Sequence, residues 1–547
     1  MRERYADLYR SYRWSVPARF NIAQACCGQW AADRSRFALY WEDESGASAA
    51  FSFWDIQLAA NRLSNALAAL GVQRGERVAL MLPQRPESAI AYMAIFQLGA
   101  IALPLSHLFG PDAIEYRMNH AEASVALVEP TTIANLWAVK DRLPTLRHVI
   151  GVGGARETGV HAWEALLAKG ARTFHCADTS ADDPAVIIYT SGTTGAPKGA
   201  LEAHRLIIGN ISGFVHSHDF YPQKGDMFWS PADWAWAGGL FDALLPAWYF
   251  GMPILGYRGR FDAEKAYYLV DKYGVRNAFL FPTALKLMMK ALPEPRRKYE
   301  LNMRSIMSAG ESVGVTLIEW AREQLGVTIN EMFGQTEINY VVGNCQAAWP
   351  VKPGAIGRPY PGHRVAVIDE QGNELPPGEL GEIAIHRSCN GELDPVFFLE
   401  YWKNPQATRD KFLGDWGCTG DQGKMDEDGY LWYQGRSDDV IKSAGYRIGP
   451  AEIENCLVKH RAVMNAAVIG KPDETRGAIV KAYIVLAPGE TASAALIEEI
   501  QAHVRGRLAP YEYPREIEFI DALPMTTTGK VQRKELRRRE EAKRRST

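Results

Sequence analysis

A run of small, hydroxylated and glycine residues ending in a lysine, Tyr189-Thr-Ser-Gly-Thr-Thr-Gly-Ala-Pro-Lys-Gly199, directly follows the apolar stretch Val186-Ile-Ile-Tyr189. Glycines let backbone N–H groups close around phosphate oxygens, hydroxyls add donors, and Lys198 brings positive charge. The loop is not of the G-x4-G-K-[ST] type, because Pro197 stands where that pattern needs its second glycine. A polar linker is the bland reading of any Gly/Thr run. The order of Ser, Thr, Gly, Pro and Lys after a buried strand favours phosphate binding. Other chemistries fare worse. The seven cysteines (26, 27, 176, 345, 389, 418 and 456) contain no C-x2-4-C pair, so they read as reduced thiols of a cytosolic protein rather than a zinc clamp. No G-x-G-x-x-G follows a strand with an acidic residue about 20 positions on, which disfavours a dinucleotide oxidoreductase.

These residues need a scaffold, and the chain is long enough to provide one. Its 547 residues are 47% hydrophobic and 23% charged, with a net charge of -3, which excludes disorder and gives no electrostatic reason to expect nucleic acid or an anionic membrane as partner. Length alone suggests two to four domains. The N-terminus mixes both charges and lacks an apolar core, so it does not read as a signal peptide. Ser88–Ser106 is free of charge, but Gln97, Gly99 and Pro104 break it. It reads as a buried helix to Leu98, a Gly99 stop and a strand over Ile101–Leu103, not a membrane span. Short apolar runs alternate with helical patterns: strands at Val78–Leu82, Val186–Tyr189, Pro253–Leu255, Asn277–Phe281 and Ser305–Ser308, helices at Ala113–His120 and Thr283–Ala291. That alternation predicts an α/β fold of largely parallel, helix-covered sheets. From about Val365 the texture turns to strands and turns. After Arg436 a compact segment reads helix (Pro450–His460), strands (Ala466–Ile469, Val480–Leu486), helix (Ala494–Leu508) and strand (Glu516–Ile520), the size of a small α+β domain. The charged tail Arg533–Arg545 reads as a solvated helix or frayed end.

The loop at 189–199 resembles the phosphate loop of the adenylate-forming superfamily (ANL), and further motifs follow in that family's order. They are Gly310-Glu-Ser312, Phe333-Gly-Gln-Thr-Glu337, Gly414-Asp-Trp-Gly-Cys-Thr-Gly-Asp421, the hinge block from Gly435 to Glu454, and Pro524-Met-Thr-Thr-Thr-Gly-Lys530. The match is nearest to acyl-CoA synthetases of the medium-chain and acetyl-CoA synthetase type. It implies an adenylating domain over residues 1–436 with a β-rich subdomain at about 363–436, then a mobile lid over 437–547 hinged at Asp438. It implies a two-step reaction: a carboxylate attacks the α-phosphate of Mg-ATP to give acyl-AMP and pyrophosphate, and coenzyme A then displaces AMP.

The resemblance also implies roles. Catalysis would fall to Lys530, bridging carboxylate and α-phosphate, with Arg447 and Thr336; Arg447 could instead be a structural ion pair with Glu452 or Glu454. ATP and AMP would meet Thr190, Ser191, Gly192, Thr193, Thr194, Gly195, Lys198, Gly310, Glu311 and Ser312. They would also meet Glu331, Met332, Phe333, Gly334, Gln335, Thr336, Asp421 (taking the ribose hydroxyls) and Arg436. Glu337 would hold Mg2+, a hard cation that suits a carboxylate. Coenzyme A would pass Ala444 and Gly445. Arg505 would meet its 3′-phosphate, unless it is simply a helix-surface arginine.

Trp234, Trp236, Gly238 and Gly334 lie on segments that line the acyl pocket in relatives, although paired tryptophans could equally be core. Acetyl-CoA synthetases carry Trp where this chain has Gly334. The missing indole would leave room for several methylenes, each worth roughly 0.8 kcal/mol on burial. A medium-chain, branched short-chain or aryl acid is therefore expected, with acetate or propionate as the alternative. After Glu337 the family usually continues with Gly, and this chain has Ile338-Asn339-Tyr340, which can re-aim the pocket wall. Runner-up functions are a free-standing loader of a carrier protein and, from another class, a non-catalytic nucleotide- or acyl-binding regulator. A luciferase-like oxygenase has little support from fold analogy. The expected partners are the carboxylate, ATP and coenzyme A, in the cytoplasm, as a monomer or homodimer.

Overall fold

The structure is a computed structural model that describes residues 4–190, 196–310, 313–436, 439, 441–443, 446–473, 477–508, 512–526 and 530–546. Two large sheets dominate. One has eight strands in the order Glu400–Tyr401, Lys198–Ala203, Pro184–Thr190, Ile101–Pro104, Arg77–Met81, Ala123–Val128, His148–Gly151 and Val160–Ala162. From Pro184–Thr190 onward its neighbours pair in parallel. Ala123-Ser-Val-Ala-Leu-Val128 is buried at every position, as a strand covered by helices on both faces must be. The expected core segment is there. Helix Pro86–Leu98 starts on a proline with Glu87 in its first turn and stops at Gly99, whose φ of 73° is left-handed. Strand Ile101–Pro104 follows at once.

The second sheet has nine strands, from Arg358–Pro359 through Ile329–Phe333, Ser305–Ser308, Asn277–Phe279 and Phe228–Trp229 to Ile254–Arg258, Phe37–Asp43 and Ser48–Ser52. The strand expected over 277–281 ends at Phe279, because Pro282 opens helix Pro282–Ala291. One side chain ties the C-terminal strand ends of the two sheets together. Gln84, just after Arg77–Met81, donates to the carbonyls of Ser230 (2.9 Å) and Ala232 (2.7 Å) and accepts from the Tyr257 N–H (3.0 Å). The edge where α/β proteins bind ligands is thus shared by both sheets.

The β-rich texture after Val365 is a five-stranded antiparallel sheet of Arg364–Ile368, Gly381–His386, Trp416–Met425, Phe412–Leu413 and Leu431–Arg436. The C-terminal segment folds as Val463–Asp473, Gly477–Leu486 and Glu516–Phe519 with helices Pro450–Leu457 and Ala494–Arg505. Ile453, Leu457, Val468, Ile484 and Ile500 form its own core. The charged tail departs from its expectation. Helix Arg533–Ser546 docks on this sheet, with Leu536 fully buried and Glu540 accepting from Lys481 (2.8 Å) and Tyr483 (2.5 Å). Among the described residues, no helix is long and apolar enough to cross a membrane.

Candidate active site

The phosphate loop joins two antiparallel neighbours. Pro184–Thr190 leads in, Lys198–Ala203 leads out, and Thr190 pairs with Lys198 at the mouth, where the Thr190 hydroxyl reaches the Lys198 carbonyl at 3.4 Å. Ser191, Gly192, Thr193, Thr194 and Gly195 lie outside the described residues, as do Glu311 and Ser312. The Lys198 ammonium lies 5.0 Å from the centre of the Tyr401 ring. Gly310 is exposed, with a left-handed φ of 93°.

The segment after strand Ile329–Phe333 builds the centre. Glu331 is buried; it accepts from the Val313 N–H (3.3 Å), and burial pushes its carboxyl up to about 8. Met332 is core, Phe333 lies half-buried near Tyr433, and Thr336 is half-exposed. Gln335 donates to Asp421 Oδ2 (2.6 Å) and to the Thr419 carbonyl (2.7 Å), and accepts from Lys411 Nζ (2.8 Å). Asp421 stands across the ladder from Arg436, with Oδ1 3.7 Å from the guanidinium and 3.3 Å from the donating Tyr433 hydroxyl. Burial raises the Asp421 carboxyl, and Arg436, Gln335, Lys411 and Lys530 each pull it back down. Lys530 is exposed, its carbonyl accepting from the Thr526 N–H (2.8 Å) and its own N–H donating to Thr526 Oγ1 (3.0 Å). Three residues expected to share a nucleotide, Gln335, Asp421 and Arg436, are brought together from separate stretches of chain.

Glu337 forms the second focus. It is buried, and its Oε1 accepts from the Tyr401 hydroxyl at 2.5 Å, which with burial drives the phenol's pKa far up while Arg436 lowers it. Glu202, on the strand leaving the phosphate loop, is fully buried, and among the described residues neither carboxylate oxygen is hydrogen-bonded. Burial and Glu337 raise its carboxyl well above the ordinary range. Among the described residues no cluster of three or more metal-binding side chains exists. One buried carboxylate fits Mg2+, a cation that takes most of its ligands from phosphates and water.

Other expected site residues divide. Trp234 is core, not pocket lining: it is 1% exposed, and its ring packs so close to Gly256 that a Cβ there would lie 3.2 Å from it. Trp236 is half-buried, edge-on to Phe109 with centroids 5.8 Å apart, and Gly238 is partly exposed. The space expected at Gly334 is absent. A Cβ there would sit 1.2 Å from the Asn339 carbonyl oxygen, so glycine is required by a backbone approach rather than by an open slot. Arg505 is exposed at the end of its helix, over the Tyr513 ring at 4.3 Å. Arg447 lies on strand Tyr446–Ile448 opposite Lys442, its side chain outside the described set. Glu454, one of its suggested partners, is gripped by Arg533 (2.6 Å). Asp438, Ala444 and Gly445 also lie outside the described residues. Tyr401, Lys411, Tyr433, Glu202 and Asn339 join the site only through the fold; in sequence none stands in a spacing that marks it.

This geometry has close counterparts. Residues 28–392 match the model of the AMP-binding enzyme family, and residues 452–530 match that of the AMP-binding enzyme C-terminal domain. A Bacillus subtilis protein named as an uncharacterized acyl-CoA ligase, YtcI, is 37% identical over 532 residues, spanning 96% of this chain and 97% of its own. The mitochondrial acyl-coenzyme A synthetase ACSM3 of Mus musculus is 33% identical over 548 residues, spanning 98% and 93%. The anthranilate CoA ligase AuaEII, solved with anthranoyl-AMP, superposes with a TM-score of 0.87 at 29% identity, covering 96% of this chain and 98% of that one. The chain belongs to the AMP-binding enzyme family. It is an AMP-forming acid–thiol ligase of the acyl-CoA synthetase kind, with ATP, Mg2+ and coenzyme A as its reaction partners.

Proposed function

We propose that the focus at Gln335, Asp421, Arg436 and Lys530 is where this chain joins a carboxylic acid larger than acetate to AMP, before passing the acyl group to coenzyme A. The observation that carries this reading is the frame around Asp421, a ribose acceptor held by Gln335 (2.6 Å) and Tyr433 (3.3 Å) with the Arg436 guanidinium 3.7 Å away. Attack on the α-phosphate gathers negative charge, and Lys530, Arg436 and Lys198 supply fixed positive charge to meet it. Asp421 orients the ribose hydroxyls. Glu337, braced by Tyr401, would hold Mg2+, which when bound neutralises phosphate charge. Thr336 and Arg447 complete the phosphate contacts. The lid, residues 437–547, turns about Asp438 to bring Ala444 and Gly445 to the thiol, a hinge motion of ordinary kind.

The acid enters past Trp236, Ala237 and Gly238, whose partial exposure contrasts with the buried Trp234. The anthranoyl adduct of AuaEII supports an aryl acid, and the relationship to acyl-coenzyme A synthetase ACSM3 supports coenzyme A as the acyl acceptor. Seven unbridged cysteines support a reducing, cytoplasmic setting. The test is AMP release measured across acetate to decanoate with branched and aromatic acids, each with and without coenzyme A. The reading expects CoA-dependent release for one class beyond acetate. Adenylate that coenzyme A cannot discharge would replace it with a carrier-protein loader.

A further inference from the structure

The residues after Glu337, Ile338-Asn339-Tyr340, have a partner that acid activation does not use. Asn339 adopts a left-handed φ of 26°, and its side-chain amide donates to Asp242 Oδ1 at 2.8 Å. Asp242 sits in the π-helical turn Leu240–Leu244, a widened winding of the kind that recurs at functional sites. It is 4% exposed, and the Asn339 bond is the only one its side chain makes among the described residues. Among the described residues it forms no ion pair; burial raises its carboxyl well above the ordinary range, and the Asn339 hydrogen bond opposes that rise. A buried ionisable group kept with half its hydrogen-bonding capacity unused asks for a partner.

The unused oxygen has a direction. A Cβ built on Gly238 would lie 3.8 Å from Asp242 Oδ2 and 2.9 Å from Phe279 Cε1. Oδ2 therefore lies beside the partly exposed Gly238, on the wall where the proposed acyl path runs, with an aromatic edge next to it. A hydrocarbon tail would leave this oxygen without a partner, whereas a tail bearing a hydroxyl or amino group, which can donate or accept, would pair with it. We infer that Asp242, positioned by Asn339, is a specificity-determining residue that hydrogen-bonds a hydroxyl or amino group on the tail of the carboxylic acid. The enzyme then selects hydroxyl- or amino-bearing acids over hydrocarbon acids of the same size. This inference rests on the ligase reading above.

The test compares matched acids, hydroxyhexanoate with heptanoate and aminobenzoate with methylbenzoate, by CoA-dependent AMP release. Wild type is expected to favour the donor-bearing member of at least one pair by about tenfold or more in kcat/KM; the pair that does so tells a hydroxyl from an amino ligand. Asp242→Leu should erase or reverse that preference through KM for the donor-bearing acid, leaving turnover of the hydrocarbon acid in place. Asp242→Ala, which removes both oxygens without adding bulk, gives the same readout should the leucine variant not fold. Equal turnover of both members by wild type overturns the inference and leaves the ligase reading standing, as does an equal loss for both members in either variant, the mark of a brace for the loop. No CoA-dependent release with any acid overturns both.

Discussion

Gly334→Ala is the sharpest perturbation the site offers, because two accounts of Gly334 predict opposite results. If glycine leaves an open slot, a methyl group is tolerated and merely narrows the acid range. The fold says otherwise. The new Cβ would fall 1.2 Å from the Asn339 carbonyl oxygen, and ordinary contact begins near 3.4 Å, so that oxygen must retreat by about 2 Å. The retreat carries Asn339 away from Asp242, breaking a 2.8 Å hydrogen bond and leaving a buried carboxyl without its donor, at a cost of about 1–3 kcal/mol. Repacking the overfilled loop adds about 1–3 kcal/mol. The total, about 2–6 kcal/mol, is large for one methyl group. Thermal unfolding of variant and wild type measures it, and acid-dependent ATP–pyrophosphate exchange reports the accompanying damage to Thr336 and Glu337 on the same loop. A Gly334→Ala protein with wild-type stability and exchange, altered only in which acids it takes, would refute the reasoning and restore the open slot. Gly334→Trp, in this account, disables the enzyme and does not convert it to acetate.

Two further outcomes follow from the same contacts. Tyr401→Phe removes the hydroxyl at 2.5 Å from Glu337 and leaves a buried carboxylate unpaired, so stability falls by about 1–3 kcal/mol and the Mg2+ concentration for half-maximal activity shifts; unchanged Mg2+ dependence would remove Tyr401 from the metal's surroundings. Glu331 is held protonated by burial, with its pKa raised to about 8. A raised acid favours folding most at pH below its unfolded value, and that contribution is lost as pH climbs through about 8, at up to about 1.4 kcal/mol per unit. Glu331→Gln should flatten the decline in stability between pH 5 and 8, and an unaltered pH profile would count against a neutral Glu331.

Much of this was legible in the residues. The alternation of apolar runs and helical patterns announced parallel sheets, Gly99 marked the end of the buried helix, and the ordered motifs pointed to the family whose models match the chain. Four features were not legible, each for a tertiary reason. Gly334 reads locally as a missing side chain, and only the folded loop reveals the Asn339 carbonyl where a Cβ would be. Trp234 and Trp236 look alike two residues apart, yet one is core and the other is half-buried. Tyr401 and Lys411 reach Glu337 and Gln335 from segments 64 and 76 residues away, distances over which no pattern carries information. The tail's charge density suggested solvent, but Lys481 and Tyr483 bury Glu540 and dock the helix.

The central claim is that Lys530 serves the first half-reaction beside Asp421. Lys530→Ala, assayed separately for acid-dependent ATP–pyrophosphate exchange and for thioester formation from supplied acyl-AMP, tests it most directly. The account predicts that exchange falls by about a hundredfold or more while thioester formation survives. Equal loss in both half-reactions, or none in exchange, would contradict it.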